Sequence, residues 1–363
     1  MRMKEGRIGV TGAAALTAAA MITNGLFALD PEYAYADGNS AYLALPLSAA
    51  VSLCITLILL RSMERSGSKD LAEHFSARFG SVGGALVSLP LLAAFVISSA
   101  EPMISFLRVL HRLVFDGVSY TAILFFVFPV TVFAAWKGLE TLSRTAIIVL
   151  AVVLVTMAAA CFAAVPDFAS YRLYPIMGDG AAHFIKLTAS ETLAFLTPLS
   201  AAAVNMKGMH GTRSARKAVL WAALLSAAVT GAVELALSAI YPYKVLAGLN
   251  MPLYRINFLS LSQSYLIRLD KLYVMLWLGG CMLSSAYMIY SAAHLYALLF
   301  RQRDVTPAAA SFSLLLLGLL IVSVKAGYAF LETIHRAVVR LGWLLAAVPI
   351  AAAILLRKRR KKA

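Results

Sequence analysis

The sequence predicts an all-α polytopic membrane protein with ten transmembrane helices arranged as a five-plus-five inverted repeat. Three observations carry that expectation: apolar content, the spacing of apolar stretches, and polar interruptions at matching places in two of them. Of the 363 residues 61% are hydrophobic and only 13% charged, with a mean hydropathy of +0.82. Soluble domains run about 45–50% apolar and about 25% charged. An ordinary soluble enzyme, a disordered chain and a fibre are therefore excluded. A hydrocarbon core of about 30 Å takes about 20 apolar residues per helix. The chain is thus read as one membrane-embedded transmembrane domain over 1–363, with no room for a soluble domain of useful size.

Apolar stretches place spans near 8–28, 41–60, 83–107, 118–136, 145–165, 185–205, 218–240, 272–299, 307–325 and 337–356. None shows the period-2 alternation of a barrel strand, so each reads as a helix. Arg2, Lys4 and Arg7 before an apolar run, with Ala34-Tyr35-Ala36 beyond it, outline a secretory signal. The Ala36 position lies far from Ile8–Ala20, across Asn24, Asp30, Pro31 and Glu32, so a retained first span is expected. The linker 241–271 is too polar to span and apolar enough to lie on a surface, as a lid or an amphipathic helix.

Basic residues set the orientation. With the N-terminus cytoplasmic, the inside segments carry Arg2, Lys4 and Arg7; Arg61, Arg65, Lys69 and Arg78; and Lys137 and Arg144. They also carry Lys207, Arg213, Arg216 and Lys217; Arg301 and Arg303; and the six of the tail Arg357–Lys362. These are 21 of the chain's 32 Lys and Arg residues, whereas the first outside loop carries Asp30, Glu32 and Asp37 and no base. Both termini are expected in the cytoplasm. The net charge of +15 and the basic tail 357–363 read as contacts to anionic lipid, not nucleic acid, since no aromatic platform accompanies them.

Spans one and six look broken. The first carries Thr23-Asn24-Gly25, and the sixth Lys186, Thr188, Ser190, Glu191 and Thr192 before Pro198. They occupy equivalent places in two halves, about 8–165 and 185–356, and paired interruptions of this kind point to a transporter-type binding site. Intramembrane ionisable residues are costly and usually functional; the candidates are Glu101, Lys186, Glu191, Glu234 and Arg108, of which Glu234 receives no role. The expected ligand pocket comprises Thr23, Asn24 and Gly25, Glu101, and Ser190, Glu191 and Thr192. Carboxylates would take an ammonium group or a proton, and exposed amides of a broken helix a carboxylate.

Glu140 and Arg144 form an i,i+4 pair at the start of span five, a structural bridge. Arg268 and Asp270 open span eight as a gate or anchor pair. Cys54, Cys161 and Cys281 lie in apolar stretches without CxxC spacing, and His74, His111, His183, His210, His294 and His335 are scattered. No metal site or cofactor is expected. No phosphate-binding loop, nucleophile elbow or kinase signature occurs, so no enzyme is expected.

Several segments, in order, resemble the endospore germination permease family, the B subunits of nutrient germinant receptors. They are Gly138-Leu139-Glu140 with Arg144; Tyr174-Pro175-Ile176-Met177 with Gly178 and Gly180; Tyr241-Pro242; and Arg268-Leu269-Asp270 followed by Trp277 and Tyr287-Met288-Ile289-Tyr290. The combination GLExxxR and later RLD is the most specific. The resemblance implies the LeuT-like fold of the amino acid–polyamine–organocation (APC) superfamily. It also implies assembly with an A-type subunit and a lipoprotein C-type subunit in the spore inner membrane, and recognition of a small germinant, often an amino acid. Span one departs from the family pattern, with Thr23-Asn24-Gly25 as its break and Asp30 before Pro31. The rival reading from another class is a free-standing secondary transporter of amino acids or amines, coupled to H+ or Na+.

Overall fold

The computed structural model describes residues 7–27, 29, 34–35, 38–68, 70–115, 117–178, 180–249, 269–302 and 304–326. Among the described residues nine helices are long and apolar enough to cross a membrane. They are α1 (Val10–Phe27), α2 (Ala41–Ser66), α3 (Leu71–Val109), α4 (Tyr120–Lys137), α5 (Leu139–Ala164), α6 (Ala181–Val204), α7 (Thr212–Ile240), α8 (Leu269–Leu299) and α9 (Thr306–Ala326). The predicted tenth span, the basic tail and most of the 241–271 linker lie outside the described residues. The linker opens with a short helix, Tyr243–Gly248.

Local chemistry sets the helix ends. Gly67 takes a left-handed conformation (φ 68°) after α2, and Ser68 N–H donates back to the Met63 carbonyl, closing the free carbonyls of the last turn. The Asp70 carboxylate accepts the Glu73 amide to start α3, and Ser119 accepts the Ala122 amide to start α4. Thr306 donates its amide and its hydroxyl to Asp304 at the start of α9, which holds that exposed carboxyl below its usual range. Span three is longer than the sequence predicts. α3 begins at Leu71 and turns sharply at Gly80 (φ 78°, ψ 173°), a backbone conformation that glycine adopts without strain. The turn separates a short first segment, residues 71–79, from the long apolar remainder of α3.

The neighbours follow an exchange of helix i with helix i+5. α1 packs on α7 while α6 packs on α2, and α8 packs on α4 while α9 packs on α3. The pairs α2–α7, α3–α8 and α1–α6 map onto themselves. Side chains repeat the relation: Ser48 of α2 donates to the Thr188 carbonyl of α6, and Ser226 of α7 to the Ala18 carbonyl of α1. α2 and α7 run antiparallel, with Arg216 bonded to Glu64 near one end and Gly231 against Tyr42 and Pro46 nearer the other. α1, α6 and α8 are buried in the centre. α4 and α5 form part of the rim, presenting Phe125, Phe126, Ile148, Val155 and Phe162 outward.

The expected breaks in spans one and six are not found: α1 and α6 run as continuous helices through Thr23–Gly25 and Ser190–Thr192. The polar side chains that suggested unwinding bond within their own helices. Thr23 Oγ1 donates to the Ala19 carbonyl at 2.7 Å, Ser190 Oγ to Leu187 at 2.8 Å and Thr192 Oγ1 to Thr188 at 2.7 Å. A hydroxyl satisfied on the preceding turn needs no break, and a lone glycine costs a helix only about 1 kcal/mol.

Gly231 lets α7 approach α2. A Cβ there would lie 2.7 Å from the Pro46 ring. Gly231→Leu is expected to destabilise the protein by about 1–3 kcal/mol through overpacking, read as a lower midpoint in thermal unfolding of the detergent-purified chain. Gly248, with open space at its Cβ, should tolerate alanine with an unchanged midpoint.

Candidate functional site

The centre of the bundle is a dry, alanine-rich interior into which a few polar side chains are set. Asn24 of α1, 1% exposed, donates its Nδ2 to Ser98 of α3 at 2.6 Å and accepts from Ser284 of α8 at 3.4 Å. One residue on, Gly25 receives the ring of Phe195 from α6; a Cβ on Gly25 would meet that ring at 2.6 Å. Two successive residues of α1 thus contact three other helices. Just beyond, Phe27 packs against Phe106 of α3 and Trp277 of α8, with ring centres at 5.9 and 5.3 Å. An aromatic cluster therefore covers one side of this node.

Glu101 belongs to the same region. Ser98, three residues earlier, bonds Asn24, and Ser105, four residues later, donates to the Phe27 carbonyl at 3.2 Å. Residues at these spacings share one helix face, so half-buried Glu101 stands on the α3 face that meets α1. On α6, buried Glu191 lies one turn before Phe195, on the face that reaches Gly25. Ser52 of α2 holds the Thr192 carbonyl at 2.7 Å and Ser48 the Thr188 carbonyl at 2.8 Å, fixing this stretch of α6.

The predicted residues are therefore distributed as follows. Asn24 and Gly25 lie at the node between α1, α3, α6 and α8; Glu101 stands on the α3 face that meets α1, and Glu191 lies one turn from Phe195 on α6. Thr23, Ser190 and Thr192 spend their hydroxyls on their own helices. Because both helices are continuous, the backbone amides of Thr23–Gly25 and Ser190–Thr192 stay in the helical ladder and offer no anion site. The polar groups available at the node are therefore side chains. Lys186 is exposed and stands apart from it. Glu140 and Arg144 form the expected bridge at 2.6 Å, on an exposed surface, where such pairs contribute about 1 kcal/mol or less. Arg268 and the side chain of Asp270 lie outside the described residues. Among the described residues no group of three His, Cys, Asp or Glu side chains can hold a metal.

Sequence reasoning missed a second network toward the basic face. Asn205, at the end of α6, donates Nδ2 to the Ala201 carbonyl and to Ser291 of α8 at 2.9 and 2.8 Å. Its Oδ1 therefore accepts, and His294 Nδ1, 2.7 Å away, carries the proton. The Tyr287 phenol lies beside Thr17 of α1 and Asn205. Further out, Ile8 N–H donates to the Gly208 carbonyl and Lys207 pairs with Asp70, both at 2.8 Å or less. Buried His74 is set among Ser62, Ser66 and Ser68. These contacts tie α1, α6 and α8 together at that face. Scattered histidines and asparagines give no spacing signal for such a network.

Residues 7–327 match the family model for spore permeases, described as spore germination protein. Among curated proteins no sequence matches the chain. A nucleobase-cation-symport-1 family transporter, solved in a closed conformation with bromovinylhydantoin bound, is similar in structure. Its TM-score is 0.69 at 14% identity, over 99% of this chain and 81% of that one. A Na+-coupled sialic acid symporter, solved substrate-bound and outward-open, gives a TM-score of 0.64 at 14% identity, over 93% of this chain and 78% of that one. At this identity the likenesses establish the LeuT-type fold and say nothing of the ligand.

Replacing Asn205 by leucine removes the acceptor of His294 and the donor to Ser291 inside the core. A buried polar group left unsatisfied costs about 1–3 kcal/mol, so Asn205→Leu should lower the thermal midpoint of the purified chain by a few degrees. His294→Gln, which can keep one hydrogen bond to Asn205, should lower it less.

Proposed function

The chain belongs to the spore germination protein family, and we propose that it serves there as the ligand-sensing permease subunit of a nutrient germinant receptor. It recognises a small germinant, an amino acid, at the node between α1, α3 and α6. It works with an A-type and a lipoprotein C-type subunit in the spore inner membrane, with both termini cytoplasmic. The observation that supports this reading is buried Asn24, bonded to Ser98 of α3 one turn before Glu101, at the centre of a transporter-type fold in a chain of this family.

The chemistry suits an amino acid. Glu191 and Glu101 can take an ammonium group, and Asn24 can donate to a carboxylate after leaving Ser98. The aromatic wall of Phe27, Phe106 and Trp277 offers an apolar and π-rich surface beside it. Sensing asks only that ligand bind one conformation better than another. The Asn205–His294 network on the basic face, together with the Ile8–Gly208 bond, is an interaction set whose strength sets that conformational balance.

The test is germination of spores carrying Glu191→Gln or Glu101→Gln, with protein levels followed in the membrane. Removing the charged partner of an ammonium in a dry site costs about 2–5 kcal/mol, so the half-maximal germinant concentration should rise about 30-fold or more. Both variants responding at the wild-type concentration contradicts the site. Ion-coupled amino acid uptake by the chain alone in vesicles contradicts the receptor assignment and favours a free-standing transporter.

A further inference from the structure

One buried carboxylate has no place in that node. Glu234 of α7 is 2% exposed and accepts the Tyr35 phenol O–H on its Oε2. Among the described residues no Lys, Arg or His forms an ion pair with it. On the elements around it, three side chains that are each 0% exposed bury an oxygen with no hydrogen-bond partner: Ser238 Oγ, Ser40 Oγ and Asn39 Oδ1. Ser238 stands one turn beyond Glu234 on the same face of α7. Gly231, one turn before Glu234, faces the Tyr42 carbonyl and Pro46, so the start of antiparallel α2, with Ser40 at its N-cap, lies along this face. Asn39 donates its Nδ2 to the Arg172 carbonyl, and the Arg172 guanidinium bonds the Ile240 carbonyl at the end of α7. Arg172 thereby links Asn39 to the end of α7, two residues beyond Ser238.

We propose that Glu234, Ser238, Ser40, Asn39 and Tyr35 form a binding site for a sodium-sized monovalent cation, separate from the Asn24 node. The donor set is all oxygen, which suits a hard cation. It holds one carboxylate, which balances one positive charge, whereas divalent ions in protein sites draw on more. Burying unpaired oxygen acceptors is costly. A proton on Glu234 would serve the carboxylate alone and bring no partner to Asn39 Oδ1. Arg172 stands at the mouth of the cluster with its guanidinium turned to Ile240, and it pairs with no carboxylate among the described residues. An ion here joins Tyr35, Asn39 and the start of α2 to the end of α7. It holds the α7 end of the bundle opposite the Asn205–His294 network.

The test uses the purified full chain in detergent, independent of germination. Thermal unfolding is followed while NaCl replaces choline chloride at constant ionic strength, with KCl as a parallel series. The site predicts a midpoint that rises by about 2 °C or more and saturates with Na+, without a matching rise in K+. Glu234→Gln and Ser238→Ala should each abolish the rise, while Arg144→Ala, on the opposite face, should keep it. Should Glu234→Gln fail to accumulate, Ser238→Ala removes a single hydroxyl and carries the test alone. An equal rise in K+ and Na+, a rise that survives Ser238→Ala, or a midpoint that tracks pH and ignores Na+ overturns the proposal.

Discussion

Two consecutive residues of α1, Asn24 and Gly25, hold the centre of this protein together. Asn24 places a donor against Ser98 of α3 and an acceptor against Ser284 of α8. Gly25, having no Cβ, admits Phe195 of α6. In lipid no hydrophobic force draws helices to one another, so association rests on close packing and buried hydrogen bonds. The node supplies both within one turn. The rest of the interior follows from it: small residues along α1 and α6 keep these helices central, and the longer apolar side chains are displaced to the rim.

The same arrangement explains how continuous helices serve a fold associated with interrupted ones. A broken helix frees amides and carbonyls for a ligand. Here α1 and α6 keep their ladders, and polarity at the centre comes from Asn24, Glu101 and Glu191 instead. Specificity in such a site depends on side chains that can change partners. Asn24 is one, since its bond to Ser98 is neutral and can be exchanged for a bond to ligand at small net cost. The networks at the two ends of the bundle are built from other residues, Asn205 and His294 at one and Glu234 and Tyr35 at the other. The centre and the two ends are thus held by separate sets of side chains.

Much of this was legible in the amino-acid sequence, because lipid restricts a chain to helices and apolar length then counts them. The helices α2, α4, α7, α8 and α9 begin or end within a few residues of the expected spans. α3 was underestimated because its first segment, residues 71–79, is polar and joins the span only at the Gly80 turn. The supposed breaks were misread because hydropathy cannot tell a hydroxyl that unwinds a helix from one that bonds the preceding turn. Glu234 and Tyr35 were seen separately and left without roles. Their pairing spans 199 residues of chain, and no local pattern carries it. Asn24 and Gly25 stood out as a polar interruption of an apolar span, and Glu101 and Glu191 as intramembrane carboxylates, whereas Phe195, the residue that occupies Gly25, looks like any apolar residue of a span.

The account stands most directly on the contact between Gly25 and Phe195. The measurement is the germinant concentration for half-maximal response in spores carrying Gly25→Ala, Phe195→Ala, and both together. The account predicts that Gly25→Ala alone is strongly impaired, because its methyl and the ring cannot share the space, and that adding Phe195→Ala restores much of the response. A Gly25→Ala chain that responds as wild type, or one that Phe195→Ala does nothing to relieve, would contradict it.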